Sequence, residues 1–309
     1  MSEYPDGTPT ETPRIAFVLE ARPRDLGGFS VRRSLPSMRK KRVGPFVFVD
    51  HMGPFDASPG TTVSVRPHPH IELATVTYLF DGEIVHRDSL GNRQVIVPGD
   101  VNWMTAGRGI VHSERTDEAA VKRGQRMHGL QCWVGLPTKD EQCAPAFTHY
   151  ASEVIPSVVV DGLEARVVIG TAYGTTSPVR VLSPTVFVDA KLSEATTFDP
   201  PVGYDEMATY VVEGSVTCDG AHFGAGTMLV FRDGERPELE AARGTRVVFV
   251  GGAPLDGERL LFWNFVSSSQ DRIEQAKKDW QEENLERFPK VPGDEEERIP
   301  LPSLRRCVV

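Results

Sequence analysis

Cysteine is scarce and poorly placed for cross-linking: Cys132, Cys143, Cys218 and Cys307 are irregularly spaced, with no CxxC pair. That excludes a small disulfide scaffold and points to a reduced, cytoplasmic chain with free thiols. Long apolar runs are missing too; none reaches the roughly eighteen residues of a membrane-spanning helix. The opening segment MSEYPDGTPTETPRIAFVLE is polar and acidic, without the apolar centre of a secretory signal. Positive charge is in deficit, 34 Lys and Arg against 43 Asp and Glu, for a formal charge of −9. A sequence-independent grip on nucleic acid needs clustered cations, so direct nucleic-acid binding is not expected. The one basic run, Arg39-Lys40-Lys41-Arg42, reads as a solvated loop, and it is the one visible surface for a protein partner.

Extended helical periodicity is the last absence. The 28 glycines and 24 prolines break the chain into segments of about five to ten residues, which is strand-and-turn spacing. β-Branched and aromatic residues dominate those segments, as in RQVIVPGDVNWMTAG, and turns are expected at Asp81-Gly82 and Leu90-Gly91-Asn92. The order of strand, acidic-Gly turn and strand in TYLFDGEIVHRDSLG returns in TYVVEGSVTCDGAHFG, a weak internal repeat that suggests two copies of one barrel. One helix is expected over 268–287, with Ser269 as cap and Ile273, Ala276 and Trp280 at helical spacing. The expected fold is therefore all-β, two small antiparallel barrels with a C-terminal helix. The chain divides into a barrel over 12–150, a second barrel with the closing helix over 151–290, and a tail over 291–309.

The chemistry-bearing stretch is His68-Pro69-His70. Residues two apart on a strand point to one side, so both imidazoles face the same way. Forty-two residues past His70, His112-Ser113-Glu114 repeats the spacing with an imidazole and a carboxylate. Neighbouring strands would bring the two pairs together as a metal site, with glycine turns at Gly99 and Gly107-Arg108-Gly109 bracketing the second. Three neutral imidazoles and a carboxylate suit iron, nickel, copper or zinc better than calcium or magnesium. His51, His86 and His128 read as near the pocket or as satisfied polar groups, and His149 and His222 as surface. Trp103, Met104, Leu130, Cys132 and Trp133 read as core or pocket wall.

These residues also carry a resemblance. The segments GPFVFVDHMGPF, HPHIELATVTYLFDGEIVHRDSLGN, PGDVNWMTAGRGIVHSER and HGLQCWVGLP resemble the N-terminal cupin barrel of the pirin family almost continuously over 32–137. The later block, with FWNFVSSSQDRIEQAKKDW, resembles the C-terminal barrel and helix of that family less tightly. The resemblance implies a bicupin, two double-stranded β-helix (jelly-roll) barrels of which only the first keeps a metal, usually Fe2+, with Ni, Cu, Zn or Mn as the other candidates. His68, His70, His112 and Glu114 fall on the family's ligand positions, and the second barrel has no HxH, only the isolated His222. One departure is Ala74, where many cupins and pirins carry a glutamate; Glu72 stands two positions earlier, at the parity of His70 on an ideal strand. The resemblance implies a monomeric dioxygenase of the quercetin 2,3-dioxygenase kind, opening the central ring of a flavonol with O2, with Glu114 as catalytic base. The alternative it implies is a non-enzymatic, iron-bound, redox-responsive regulator that binds a transcription-related protein partner.

Overall fold

The computed structural model describes residues 12–26 and 28–302, so Cys307 and the end of the 291–309 tail lie outside the described residues. Contacts divide the chain into two compact units, each assembled from non-contiguous segments. Among the described residues, one comprises 12–24, 30–51 and 150–255; the other comprises 25–26, 28–29, 52–149 and 256–302. The division thus runs differently from the sequence-based boundaries at 150 and 290. The C-terminal helix and tail share a unit with the HxH segment, because their apolar residues pack on that segment's strands.

The unit containing the HxH segment is built on two antiparallel sheets. A four-stranded sheet has the order Ser64–His70, Ile110–Arg115, Ile84–Asp88, Arg93–Ile96. Its partner sheet centres on Leu73–Asp81, flanked by Val101–Thr105 and Gln125–Gly135. Ser64–His70 lies at a sheet edge, which is where prolines can sit without breaking a ladder, and it carries both Pro67 and Pro69. The edge is covered by the chain's own tail: Ile299 N–H donates to the Pro67 carbonyl at 2.8 Å.

The expected helix forms over Gln270–Gln281, capped by Ser269, whose hydroxyl accepts from Arg272 N–H. Ile273, Ala276 and Trp280 are buried as their spacing predicts, in a cluster with Ile71, Val111, Phe265, Phe288 and Val291. It ends sooner than 287 because Glu283 turns to φ +55° and Asn284 folds back on Asp279. A second short helix, Glu118–Arg123, starts at Asp117, whose carboxylate accepts from Ala119 N–H. Its six residues are too few to show a period in the sequence.

In the other unit a seven-stranded antiparallel sheet has Glu206–Glu213 between Thr227–Phe231 and Arg246–Gly252. A four-stranded sheet, Thr196–Phe198, Leu239–Ala241, Ser215–Cys218, Ala221–Gly224, has the same pattern as the ligand-bearing sheet. The internal repeat is therefore real: Gly82 and Gly214 occupy matching turns, both at positive φ. At the strands corresponding to the HxH and HSE segments this unit has Phe198 opposite Leu239, both buried among Val216, Phe223 and Phe249. Packed apolar side chains replace a polar centre there.

Candidate metal centre

His68 and His70 stand on the edge strand, and His112 lies directly opposite His68 across the antiparallel ladder. Ring centroids are 4.4 Å apart for His68–His112 and 5.0 Å for both His68–His70 and His70–His112. All three rings are buried, and one ligand nitrogen from each lies within 4.8 Å of the others. Pro67, Pro69 and Val111 alternate with the histidines and so turn to the other face, where Val111 joins the apolar cluster under the C-terminal helix.

Hydrogen bonds decide which nitrogen each ring presents. His68 Nδ1 is 2.9 Å from the Arg66 carbonyl, and His70 Nδ1 is 3.0 Å from the Asn264 carbonyl. A carbonyl only accepts, so each Nδ1 carries the proton and each Nε2 keeps its lone pair. His70 Nε2 and His112 Nε2 are buried without any hydrogen-bond partner. Burial holds His68 down to about 4, and burial with the neighbouring imidazoles holds His70 and His112 well below the usual histidine range. All three rings are therefore neutral near pH 7; His68 and His70 keep their Nε2 lone pairs, and the Nε2 atoms of His70 and His112 are left without partners. A divalent transition metal fits that donor set and would satisfy the orphaned nitrogens.

Glu114 behaves differently. It is not part of the three-histidine group among the described residues. The ladder slips between His112 and Glu114, with His112 opposite His68 but Glu114 opposite Val65. The slip falls at Pro67, which has no N–H to give. Glu114 instead lies opposite His86 on the neighbouring strand and receives a 3.4 Å hydrogen bond from Thr77 on the partner sheet. Burial raises its carboxyl above the ordinary range, against the opposing pull of His86 and Thr77.

Glu72 does not reach this centre. Its backbone turns to φ +59°, which breaks the strand parity, and its carboxylate pairs with Arg272 at 2.7 Å. Ala74 is on the wrong face as well. It lies opposite Val134 and Thr105, whereas the residues turned toward the histidines are Thr75 and Thr77. The same register puts Gln131, Trp133, Asn102 and Met104 on the histidine-facing side. Trp133 meets His70 edge-on at 5.0 Å, and Gln131 Oε1 and Asn102 Nδ2 are buried without partners. Trp103, Leu130 and Cys132 belong to the opposite face.

The other histidines separate cleanly. His51 bonds to Tyr210 and Arg32 in the unit without the cluster, His128 packs against Phe80, and His222 is exposed. His149, read as surface, is half-buried and bonds to Asn102 Oδ1 at 2.8 Å. His86 joins the centre: its Nδ1 is 3.5 Å from His112 Nδ1, and its ring stacks on Phe147 at 4.3 Å. Its Nε2 is 3.0 Å from Asp88 Oδ2. Burial alone would raise Asp88, but donors from His86 and Asn92 hold it below the usual carboxylate range. The signal was available, since His86-Arg87-Asp88 has the same i, i+2 spacing as the two pairs already singled out.

Two antiparallel barrels, one with a buried histidine cluster and one filled with apolar side chains, define a bicupin with a single candidate metal centre among the described residues. Comparison with known proteins gives its relationship. The chain matches pirin over residues 28–134 and the pirin C-terminal cupin domain over 187–286, and it belongs to the pirin family. It is 47% identical to a pirin-like protein of Caulobacter vibrioides, covering 93% of this chain and 99% of that one. It is 31% identical to Pirin-1 of Arabidopsis thaliana over 87% of this chain and 93% of that one. Among solved structures, quercetin 2,3-dioxygenase from Acinetobacter baumannii superposes with a TM-score of 0.88 at 35% identity, covering 94% of this chain and 96% of that one. A bacterial pirin from Escherichia coli, solved in complex with nickel(II), shares the fold, with a TM-score of 0.59 at 18% identity over 77% and 99% of the two chains.

Proposed function

We propose that this pirin is a metal-dependent dioxygenase that opens the central ring of a flavonol such as quercetin with O2, releasing carbon monoxide. His68, His70 and His112 would hold the metal, iron first, and Glu114 would serve the site as a further ligand and as the base. The observation that carries this reading is the set of three neutral, buried imidazoles whose ligand nitrogens are drawn together, with the Nε2 atoms of His70 and His112 buried without partners. Similarity to the Acinetobacter quercetin 2,3-dioxygenase across nearly the whole chain supports the substrate class.

A bound metal would supply Lewis acidity, lowering the pKa of a substrate hydroxyl. Glu114 is the residue suited to take that proton. It is buried, it lies on the ligand strand, and its carboxyl has a raised proton affinity. Thr77 steadies one carboxylate oxygen. Trp133 and Phe147 offer flat apolar surface beside His70 and His86, where an aromatic substrate would stack and exclude water. Gln131 Oε1 and Asn102 Nδ2 supply an unpaired acceptor and an unpaired donor on the facing sheet for further substrate hydroxyls.

Elemental analysis followed by oxygen-uptake and carbon monoxide assays on a flavonol panel tests the proposal. His68→Ala or His112→Ala should remove most of the metal. Glu114→Gln, reloaded with metal, should lose about 10²–10⁴ in rate, the usual effect of removing a general base. Metal-loaded wild type that neither consumes oxygen nor releases carbon monoxide with any flavonol would overturn the enzyme reading in favour of the redox-responsive binding protein.

A further inference from the structure

Three neutral imidazoles make a metal site only if each presents a lone pair, and two of the three are fixed by backbone carbonyls. His112 has no such carbonyl partner; the group 3.5 Å from its Nδ1 is the Nδ1 of His86, another imidazole nitrogen that could donate or accept. Something must break that ambiguity, or His112 could equally well carry its proton on Nε2 and turn an N–H toward the other ligands.

We propose that Asp88, acting through His86, sets the tautomer of His112 and so completes the metal centre. The proposal rests on the metal reading above. Asp88 Oδ2 is 3.0 Å from His86 Nε2, and an ionised carboxylate can only accept. His86 Nε2 therefore carries the proton, and its Nδ1 keeps a lone pair. That lone pair faces His112 Nδ1, so His112 donates from Nδ1 and leaves Nε2 free toward His68 and His70. The orphaned state of His112 Nε2 is what this chain of donors and acceptors requires. The geometry holds the chain in place from both ends. Phe147 stacks on the His86 ring with its plane only 11° away. Asp88 is fully buried, and its Oδ1 receives the N–H groups of Leu90 and Asn92 at 2.9 and 3.1 Å. Asp88 and His86 are positioning residues, acting on the metal only through His112.

The backbone donors make Asp88→Asn a sharp test. The Leu90 and Asn92 backbone N–H groups cannot reverse, whereas the Asn92 side-chain amide, which donates to both Asp88 oxygens, can flip to present its oxygen; the new amide therefore leaves its own oxygen at the Oδ1 place and puts its NH2 where Oδ2 was. His86 Nε2 then faces a donor and must accept, its proton moves to Nδ1, and His112 is driven to carry its own on Nε2. Histidine-selective 15N NMR on the metal-free full chain near pH 7 reads these tautomers, with His112→Gln to assign the signals. Wild type should show His112 protonated on Nδ1, and Asp88→Asn should show it protonated on Nε2. Anaerobic titration with iron(II) should find affinity lowered about 10–100-fold in the variant. An unchanged His112 tautomer in folded Asp88→Asn overturns the proposal.

Should Asp88→Asn fail to fold, His86 variants carry the test. In His86→Gln the amide can donate to Asp88 and accept from His112, preserving the order of the chain, so tautomer and affinity should stay near wild type. His86→Leu removes the acceptor and should give mixed His112 tautomers with weakened iron(II) binding. Indistinguishable behaviour of these two variants overturns the proposal. If wild type takes up no iron(II) while its tautomers respond as described, the metal reading falls and the tautomer chain stands.

Discussion

Arg272 offers a quantitative test of what holds the ligand strand in place. Its guanidinium bridges two buried carboxylates, Glu72 at 2.7 Å and Glu141, and both carboxylate side chains are fully removed from solvent. Glu141 has a second cation in Arg259, at 2.8 Å, and accepts from the Ser268 N–H and hydroxyl. Glu72 has the neutral donors Gln142 and Ser267 besides Arg272. Arg272→Ala therefore leaves Glu141 with a cation and Glu72 without one. Breaking a buried pair costs about 3–5 kcal/mol. Arg272 keeps a third of its side chain exposed, so solvent screening brings the expected loss down to about 2–3 kcal/mol. Urea denaturation measures it, and its pH dependence identifies the cause. Burial and Glu141 raise Glu72 even in the intact protein, and removing Arg272 raises it further. A carboxyl whose folded pKa exceeds its unfolded value makes the folded state take up protons as pH falls through that window, so stability is regained toward acid. The deficit of Arg272→Ala should accordingly shrink between pH 7 and pH 5, and Glu72→Gln in the same background should recover part of it at pH 7. A loss below about 0.5 kcal/mol, or a deficit that does not shrink toward acid, would refute the stranded-charge reasoning.

Gly107 sits at φ +49°, and a Cβ there would lie 2.1 Å from the Cys143 carbonyl, so Gly107→Ala should cost well above the roughly 1 kcal/mol of backbone strain alone. Gly91→Ala, at φ +90° with open space around it, supplies that strain-only control in the same denaturation series. Burial alone would raise Asp294 and Asp279, but the guanidinium groups of Arg115 and Arg287 hold both below the usual range. Their stabilisation is present above the unfolded carboxylate pKa of about 4 and is lost as pH falls through their lower folded values. Trp280 fluorescence should report loosening of the C-terminal cover below about pH 4. Elemental analysis should find one metal per chain, and His222→Ala should leave that ratio unchanged.

Most of the fold was legible because it is written in short-range signals. Glycine after an acidic residue marked the turns at Gly82 and Gly214, and alternation of β-branched residues marked the strands on either side. The helix was visible from Ser269, Ile273, Ala276 and Trp280, although not its end. That depends on Asn284 and Arg287 gathering on Asp279, a tertiary arrangement that helical periodicity does not express. The described part of the tail, 291–302, shows no periodic signal because its contacts are single anchors rather than a repeat. Val291 is buried, Asp294 pairs with Arg115, and Arg298 donates to the Trp280 carbonyl. The distribution of segments between the two units was invisible for a related reason: a helix on the outer face of a sheet can belong to either neighbour in sequence, and only the packing of Trp280 and Phe288 against Val111 decides.

The candidate site divides along the same line. Parity along a strand located His68, His70 and His112, because alternation is a property of the local backbone. It failed at Glu72, where a left-handed residue hands the carboxylate to Arg272. Glu114 keeps the parity of His112 against the neighbouring strand, opposite His86, and meets Thr77. The failure at Glu72 has a chemical consequence. With Glu72 committed to an ion pair and position 74 on the opposite face, the Ala74 departure removes nothing from the site. Glu114 and Asp88 are then the carboxylates associated with the cluster through His86 and His112. They divide the work by hydrogen bonding: Asp88 is saturated by Asn92, Leu90 and His86, so it is a fixed acceptor. Glu114 has one long bond to Thr77 and a raised proton affinity, so it is free to exchange a proton. A carboxylate already holding several donors orients its neighbours, and one left nearly bare is the one that can act on a substrate.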